Sequence, residues 1–175
     1  MASRELSSTR LSVASWVIYD MGSTLFFSGV VGLVFPLWVT DVMGGDDATV
    51  GYTLTASMLA VFFLSPVLGT LSDRFKRRMP FLLTLTIVGV ISTFSIGTFQ
   101  YSLSVALFCV AVSCVYLTGI FYNGLLADIT TKNNVGFIGG IGVGMGYFGG
   151  VLAVILGFLF LELKGHIFLF RTMAI

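Results

Sequence analysis

Asp20 is a carboxylate set inside an otherwise apolar run, a place where chemistry can be done. It falls about seven residues into that run, roughly 10 Å along a helix axis. A charged aspartate in hydrocarbon costs about 2.5 to 3.5 kcal/mol at mid-depth and less near the interface, so something must offset it. Asp20, Thr24 and Ser28 recur at i, i+4 and i+8 and share one helical face, a polar stripe in an apolar segment. Such a carboxylate can bind or relay a proton, or pair with a cation during gating; a snorkelling or structurally paired residue is the plainer alternative. In a later apolar run, Ser113, Tyr116 and Asn123 also fall near one face.

The second concentration of charge is Gly69-Thr70-Leu71-Ser72-Asp73-Arg74-Phe75-Lys76-Arg77-Arg78, a short connection between apolar runs. Asp128 closes the fourth run. At a helix C-terminus it opposes the dipole and calls for a cationic partner, which the arginines of that connection can supply. Other chemistry is excluded by counting. His166 is the lone histidine, which argues against a metal site. Cys109 and Cys114 point about 140° apart on a helix, so neither a disulfide nor a metal pair is expected. No Gly-x-x-x-x-Gly-Lys loop is present to drive work by hydrolysis, and no cofactor is expected. Gly144-Met145-Gly146-Tyr147-Phe148-Gly149 formally matches the dinucleotide fingerprint, but no strand precedes it and it lies at membrane depth. Gly142, Gly146 and Gly150 instead form one smooth helix face that permits close approach of another helix in lipid.

The elements that must hold these residues follow from composition. Of 175 residues, 57% are hydrophobic and 10% charged, and mean hydropathy is +1.03. That is too little polar surface for a water-soluble particle, so the partner is a lipid bilayer. Net charge is +1, which disfavours nucleic acid as a partner. Apolar runs long enough to cross hydrocarbon cover Val13 to Val39, Val50 to Leu71, Phe81 to Phe99, Leu103 to Ala127 and Phe137 to Leu161. A sixth begins near Ile167 and reaches Ile175, too short to span, which suggests a truncated or half-length chain. Continuous runs rather than alternation predict helices, not barrel strands. Arg4, Arg10, Arg74, Lys76, Arg77, Arg78 and Lys132 fall on one side against Lys164 and Arg171 on the other, which predicts a cytoplasmic N-terminus with residues 1–12 as its tail. Trp16 and Trp38 flank the first run and read as interfacial anchors.

The connection 69–78 resembles the signature loop of the major facilitator superfamily, Gly-x-Leu-x-Asp-Arg-x-Gly-Arg-Arg, with Lys76 standing where the family usually has glycine. Ser15-Trp16-Val17-Ile18-Tyr19-Asp20 and Phe121-Tyr122-Asn123-Gly124-Leu125-Leu126-Ala127-Asp128-Ile129 resemble the matching segments of the vacuolar effluxer-like branch, named after the autophagy-related amino-acid exporter. The resemblance implies an all-α transmembrane fold: the N-terminal bundle of a major facilitator over residues 13–175, five complete helices plus the start of a sixth. It implies a conformational latch of Gly69, Asp73, Arg74, Arg77, Arg78 and Asp128. Tyr19, Asp20, Thr24, Ser28, Tyr116 and Asn123 would line a cavity for proton or substrate, and the glycine face of the fifth helix would glide against a helix of the other half. The implied function is secondary active transport of a small solute by alternating access, with amino-acid efflux as the finer expectation and a coupling ion such as a proton. The resemblance thus implies a transporter rather than an enzyme. The alternative is a half-length protein that needs a missing C-terminal half or a second chain. The membrane would be the plasma membrane in a prokaryote and a vacuolar-type membrane in a eukaryote.

Overall fold

The computed structural model describes residues 2–75 and 78–161, with side chains over 10–75 and 78–159. The expected sixth segment, His166, Lys164, Arg171, Lys76 and Arg77 lie outside the described residues, as does the side chain of Arg4.

Every described element is helical. The first helix, α1, is α-helical over Ala2–Leu25, runs on as π-helix over Phe26–Val34, makes one α turn at Phe35–Leu37 and closes as π-helix over Trp38–Val42. The expected start at Val13 is therefore exceeded, and residues 2–12 are helical. Neither Asp20 nor Pro36 interrupts the helix. Pro36 has no amide proton and its ring crowds the carbonyl four residues back; the wider π winding around it relieves that clash without breaking the rod. α2 (Asp47–Phe75) begins with an acidic residue and ends with Arg74, both favourable to the helix dipole. α3 (Met79–Ser95) stops short of the expected Phe99 because Ile96 is extended and Gly97 takes a φ of +79°, a conformation open to glycine. α4 (Tyr101–Ile129) and α5 (Val135–Leu161) complete the bundle.

Arg10–Val42, Asp47–Phe75, Tyr101–Ile129 and Val135–Leu159 are long and apolar enough to cross a membrane. α3 has 17 residues, at the lower bound of spanning lengths. Four candidate spans and one shorter apolar helix thus stand among the described residues where five complete spans are expected from the sequence.

Packing joins α1 to α5 along one seam, while α4 packs on α3 and on α2. Two apolar clusters bind the groups together. At the end of the bundle near Arg78, Trp16, Val17, Leu82, Phe121, Tyr122 and Ile138 pack together. Toward the opposite end, Phe26, Val30, Val34, Phe35, Trp38 and Phe108 do so, with the Phe35 and Phe108 rings stacked at 3.5 Å. The expectation that Trp16 and Trp38 anchor at the lipid interfaces is corrected here. They are 8% and 1% exposed, because each ring meets aromatic partners inside the bundle. Between α2 and α4, Ser57 Oγ donates to the Thr53 carbonyl at 2.8 Å and approaches Cys109 Sγ at 3.3 Å, a hydroxyl contact that joins helices in lipid. The outer face of α2, with Phe62, Phe63 and Val67, is exposed as a lipid-facing surface would be.

Candidate functional site

The polar stripe of α1 faces the glycine seam of α5. A methyl group added at Gly146 would lie 2.9 Å from Asp20 Oδ2 and 3.1 Å from Thr24 Oγ1; one at Gly150 would lie 3.2 Å from Ser28 Oγ. At Gly142 it would meet the Trp16 ring. The sequence spacing brings these seven residues into register because Trp16, Asp20, Thr24 and Ser28, in steps of four on one helix, meet Gly142, Gly146 and Gly150 at the same spacing on the other. The glycine face thus packs on α1 of the same bundle, which corrects the expected contact with a helix of another half. The glycines there let the two backbones approach closely.

Sequence reasoning missed one neighbour of Asp20 and one residue of the glycine seam. Tyr122 stacks on Trp16 with ring centroids 4.5 Å apart and planes 7° from parallel, and lies beside Tyr19 at 5.5 Å. Trp16 Nε1 donates to the Tyr122 carbonyl at 3.2 Å. The Tyr122 hydroxyl is close enough to Asp20 to interact electrostatically, yet it makes no hydrogen bond of ordinary geometry and is buried. The Tyr-Asn pair at 122–123 is the signal in the sequence, with Tyr122 buried and Asn123 exposed. Gly149 is the second omission: a methyl there would meet the Met21 backbone carbonyl.

The other expected cavity residues divide. Tyr19 shares a hydrogen bond with Thr86 of α3 at 3.0 Å. Tyr116 and Asn123 sit on an exposed face of α4, Tyr116 with its ring 4.7 Å from Phe27. Ser113 leaves that face, since its hydroxyl donates to the Cys109 carbonyl at 2.8 Å and is turned toward α2. Asp20, Thr24 and Ser28 thus belong to the α1–α5 seam, and Tyr116 and Asn123 to a separate surface.

At one end of the bundle, Arg78 Nη1 lies 3.1 Å from Asp128 Oδ2 and donates to the Gly124 carbonyl at 2.7 Å. Gly124 makes room for the guanidinium, which a methyl there would approach to 3.0 Å. The arginine therefore offsets both the aspartate and the carbonyl end of α4. With Asp128 59% exposed, the ion pair contributes about 0.2 to 1 kcal/mol. Asp128→Ala, which removes the pair and leaves the bond from Arg78 to Gly124, is accordingly expected to lower thermal stability by less than about 1 kcal/mol, read from unfolding curves in detergent; a larger loss would mean a desolvated pair. Asp73, Arg78 and Asp128 line one open cavity of about 600 Å³ with Ser72, Met79, Pro80 and Leu125. Arg74 is exposed in the last turn of α2, and Gly69 has open space around it. Among the described residues no three of His, Cys, Asp and Glu come together as metal ligands.

The chain is 28% identical over 153 residues to "Uncharacterized MFS-type transporter YxiO" of Bacillus subtilis (strain 168), an alignment over 81% of this chain and 36% of that protein. It is 31% identical over 143 residues to an "Uncharacterized protein" of Aquifex aeolicus (strain VF5), again over 81% of this chain and 36% of the relative. The chain therefore spans about a third of the length of these relatives. No solved structure matches it. The family profile of the Major Facilitator Superfamily matches residues 21–175, most of the chain, and the protein belongs to that superfamily of integral, multi-pass membrane transporters.

Proposed function

We propose that the chain forms the N-terminal bundle, residues 13–175, of a secondary transporter that moves a small solute by alternating access, coupled to a cation gradient. The observation that carries this reading is Asp20. It is a carboxylate within a spanning helix of a superfamily member, and among the described residues no cationic side chain pairs with it. A coupling cation would supply the missing charge in one conformation and leave it in another. The likeness to the vacuolar effluxer branch supports amino acids as the solute and export as the direction. The basic residues at the Arg78 end support a cytoplasmic N-terminus. The solute site itself would lie between this bundle and a second one, provided by a longer form of the chain or by a partner chain, and Tyr116 and Asn123 would face it.

Counterflow in proteoliposomes tests this. The longest native product, loaded with unlabelled neutral and aromatic amino acids, is expected to accumulate the labelled forms saturably above protein-free vesicles. Absence of flux for every amino acid, with flux for another solute class, would retire the substrate and keep the transporter.

The cavity at Asp73, Arg78 and Asp128 suits a latch that holds one of the two states. Asp73→Ala is expected to shift labelling of engineered cysteines on the two faces several-fold while the half-saturating solute concentration changes little. Unchanged labelling on both faces would remove Asp73 from the latch.

A further inference from the structure

The oxygen atoms along the α1–α5 seam share an unusual condition. Serine and threonine hydroxyls elsewhere in the spans mostly bond back to their own helix, as Thr53, Thr55, Thr86 and Thr93 do. Thr24 Oγ1 carries no such bond to the described residues; it lies with Asp20 Oδ2 within about 3 Å of one point beside Gly146. Tyr122, 8% exposed, brings a buried hydroxyl without a hydrogen-bond partner to the same carboxylate. One carboxylate and one aliphatic hydroxyl therefore meet at a narrow slot walled by glycine backbone, with the Tyr122 phenol beside the carboxylate and Ser28 one turn farther along facing Gly150. Among the described residues Tyr19 is the other titratable side chain against this group, and its hydroxyl is engaged with Thr86.

We propose that this slot binds a sodium ion, through Asp20, Thr24 and Tyr122. The inference rests on the transporter reading and names its coupling ion. Charge balance selects a monovalent cation, because one carboxylate in a half-buried seam is neutralised by a single positive charge and a divalent ion would leave an excess. Hard oxygen ligands without nitrogen or sulfur suit an alkali or alkaline-earth ion rather than a transition metal. The close approach of the two helices favours a small ion. A proton would neutralise Asp20 equally well, yet it would leave the unpartnered hydroxyls of Thr24 and Tyr122 beside it unexplained. Bound sodium satisfies all three groups and draws α1 onto α5; its release leaves a bare carboxylate at the seam, so the ion biases how tightly the two helices pack.

The test is equilibrium binding of radiolabelled sodium to the full-length protein in detergent at constant ionic strength, with choline as the replacing cation. Saturable sodium binding is expected, abolished in Asp20→Asn and weakened about tenfold in Thr24→Val, the loss of one ligand oxygen to a charged ion. Size-exclusion profiles show whether each variant folds, and Thr24→Val decides if Asp20→Asn does not. Absence of saturable binding, binding unchanged in Thr24→Val, or stabilisation by acid that sodium does not compete with would overturn the site, the last in favour of a proton. Counterflow measured in parallel separates the two readings. Sodium binding without flux of any solute retires the transporter and keeps the site, whereas flux under a proton gradient without sodium binding does the reverse.

Discussion

Gly149→Ala is expected to destabilise the bundle by about 3 kcal/mol or more, the upper end of overpacking, whereas Gly144→Ala is expected to leave it unchanged. The two residues lie on one glycine-rich helix five positions apart, and composition gives no reason to separate them. Their surroundings do. A methyl at Gly149 would run into the carbonyl of Met21, which belongs to the α1 backbone and cannot rotate away, so the helices must part. The same methyl at Gly144 meets nothing within 4 Å. Gly157→Ala is the intermediate case, because its obstacle is the end of the Leu33 side chain, which can change rotamer. Separating α1 from α5 would also open the slot between Asp20 and Gly146. Thermal unfolding followed by size exclusion ranks the three variants; equal midpoints for Gly149→Ala and Gly144→Ala would mean that the seam is not the close contact described.

What could be read from the sequence was the membership of faces, and what could not was their partners. Asp20, Thr24 and Ser28 share a face by arithmetic, and so do Gly142, Gly146 and Gly150; nothing in either list says that one lies on the other. Spacing by four also captured only one edge of the glycine strip. The contact alternates steps of four and three, as helices packed closely in lipid do, so Gly149 belongs to it beside Gly150. Ser113 was grouped with Tyr116 and Asn123 although it points about 60° away on a helix, enough to reach the α2 backbone instead. Tyr122 was passed over for Asn123, and one residue is a turn of about 100°, the difference between the exposed face of α4 and the face against α1. The apolar runs themselves were legible because hydrocarbon demands length and continuity, but their exact ends were not. π winding around Pro36 and the positive φ of Gly97 are local devices that hydropathy does not register.

Trp16→Ala is expected to cost about 3 to 5 kcal/mol, the range for removing a large aromatic side chain from a core. The reason lies in how the bundle is joined. α5 makes its main contacts with α1, and α4 makes its own with α3 and α2, so α1 carries much of the connection between the two groups. At the Arg78 end that connection is aromatic. Trp16 lies flat on Tyr122, its indole N–H is bonded to the Tyr122 carbonyl, and its outer edge fills the space left by Gly142. Alanine removes all three contacts and leaves the Tyr122 ring without its neighbour next to Asp20. Trp16→Phe keeps part of the stack and loses the hydrogen bond, so about 0.5 to 1.5 kcal/mol of the effect belongs to that bond alone, apart from the smaller ring. The comparison also reports on function. If Tyr122 is a ligand held in place by Trp16, sodium affinity falls in Trp16→Ala by more than in Trp16→Phe, measured on the fraction that remains folded. If the two variants bind sodium equally and differ only in unfolding midpoint, the stack is a structural joint between α1 and α4, and the position of the Tyr122 hydroxyl is fixed by α4 without it.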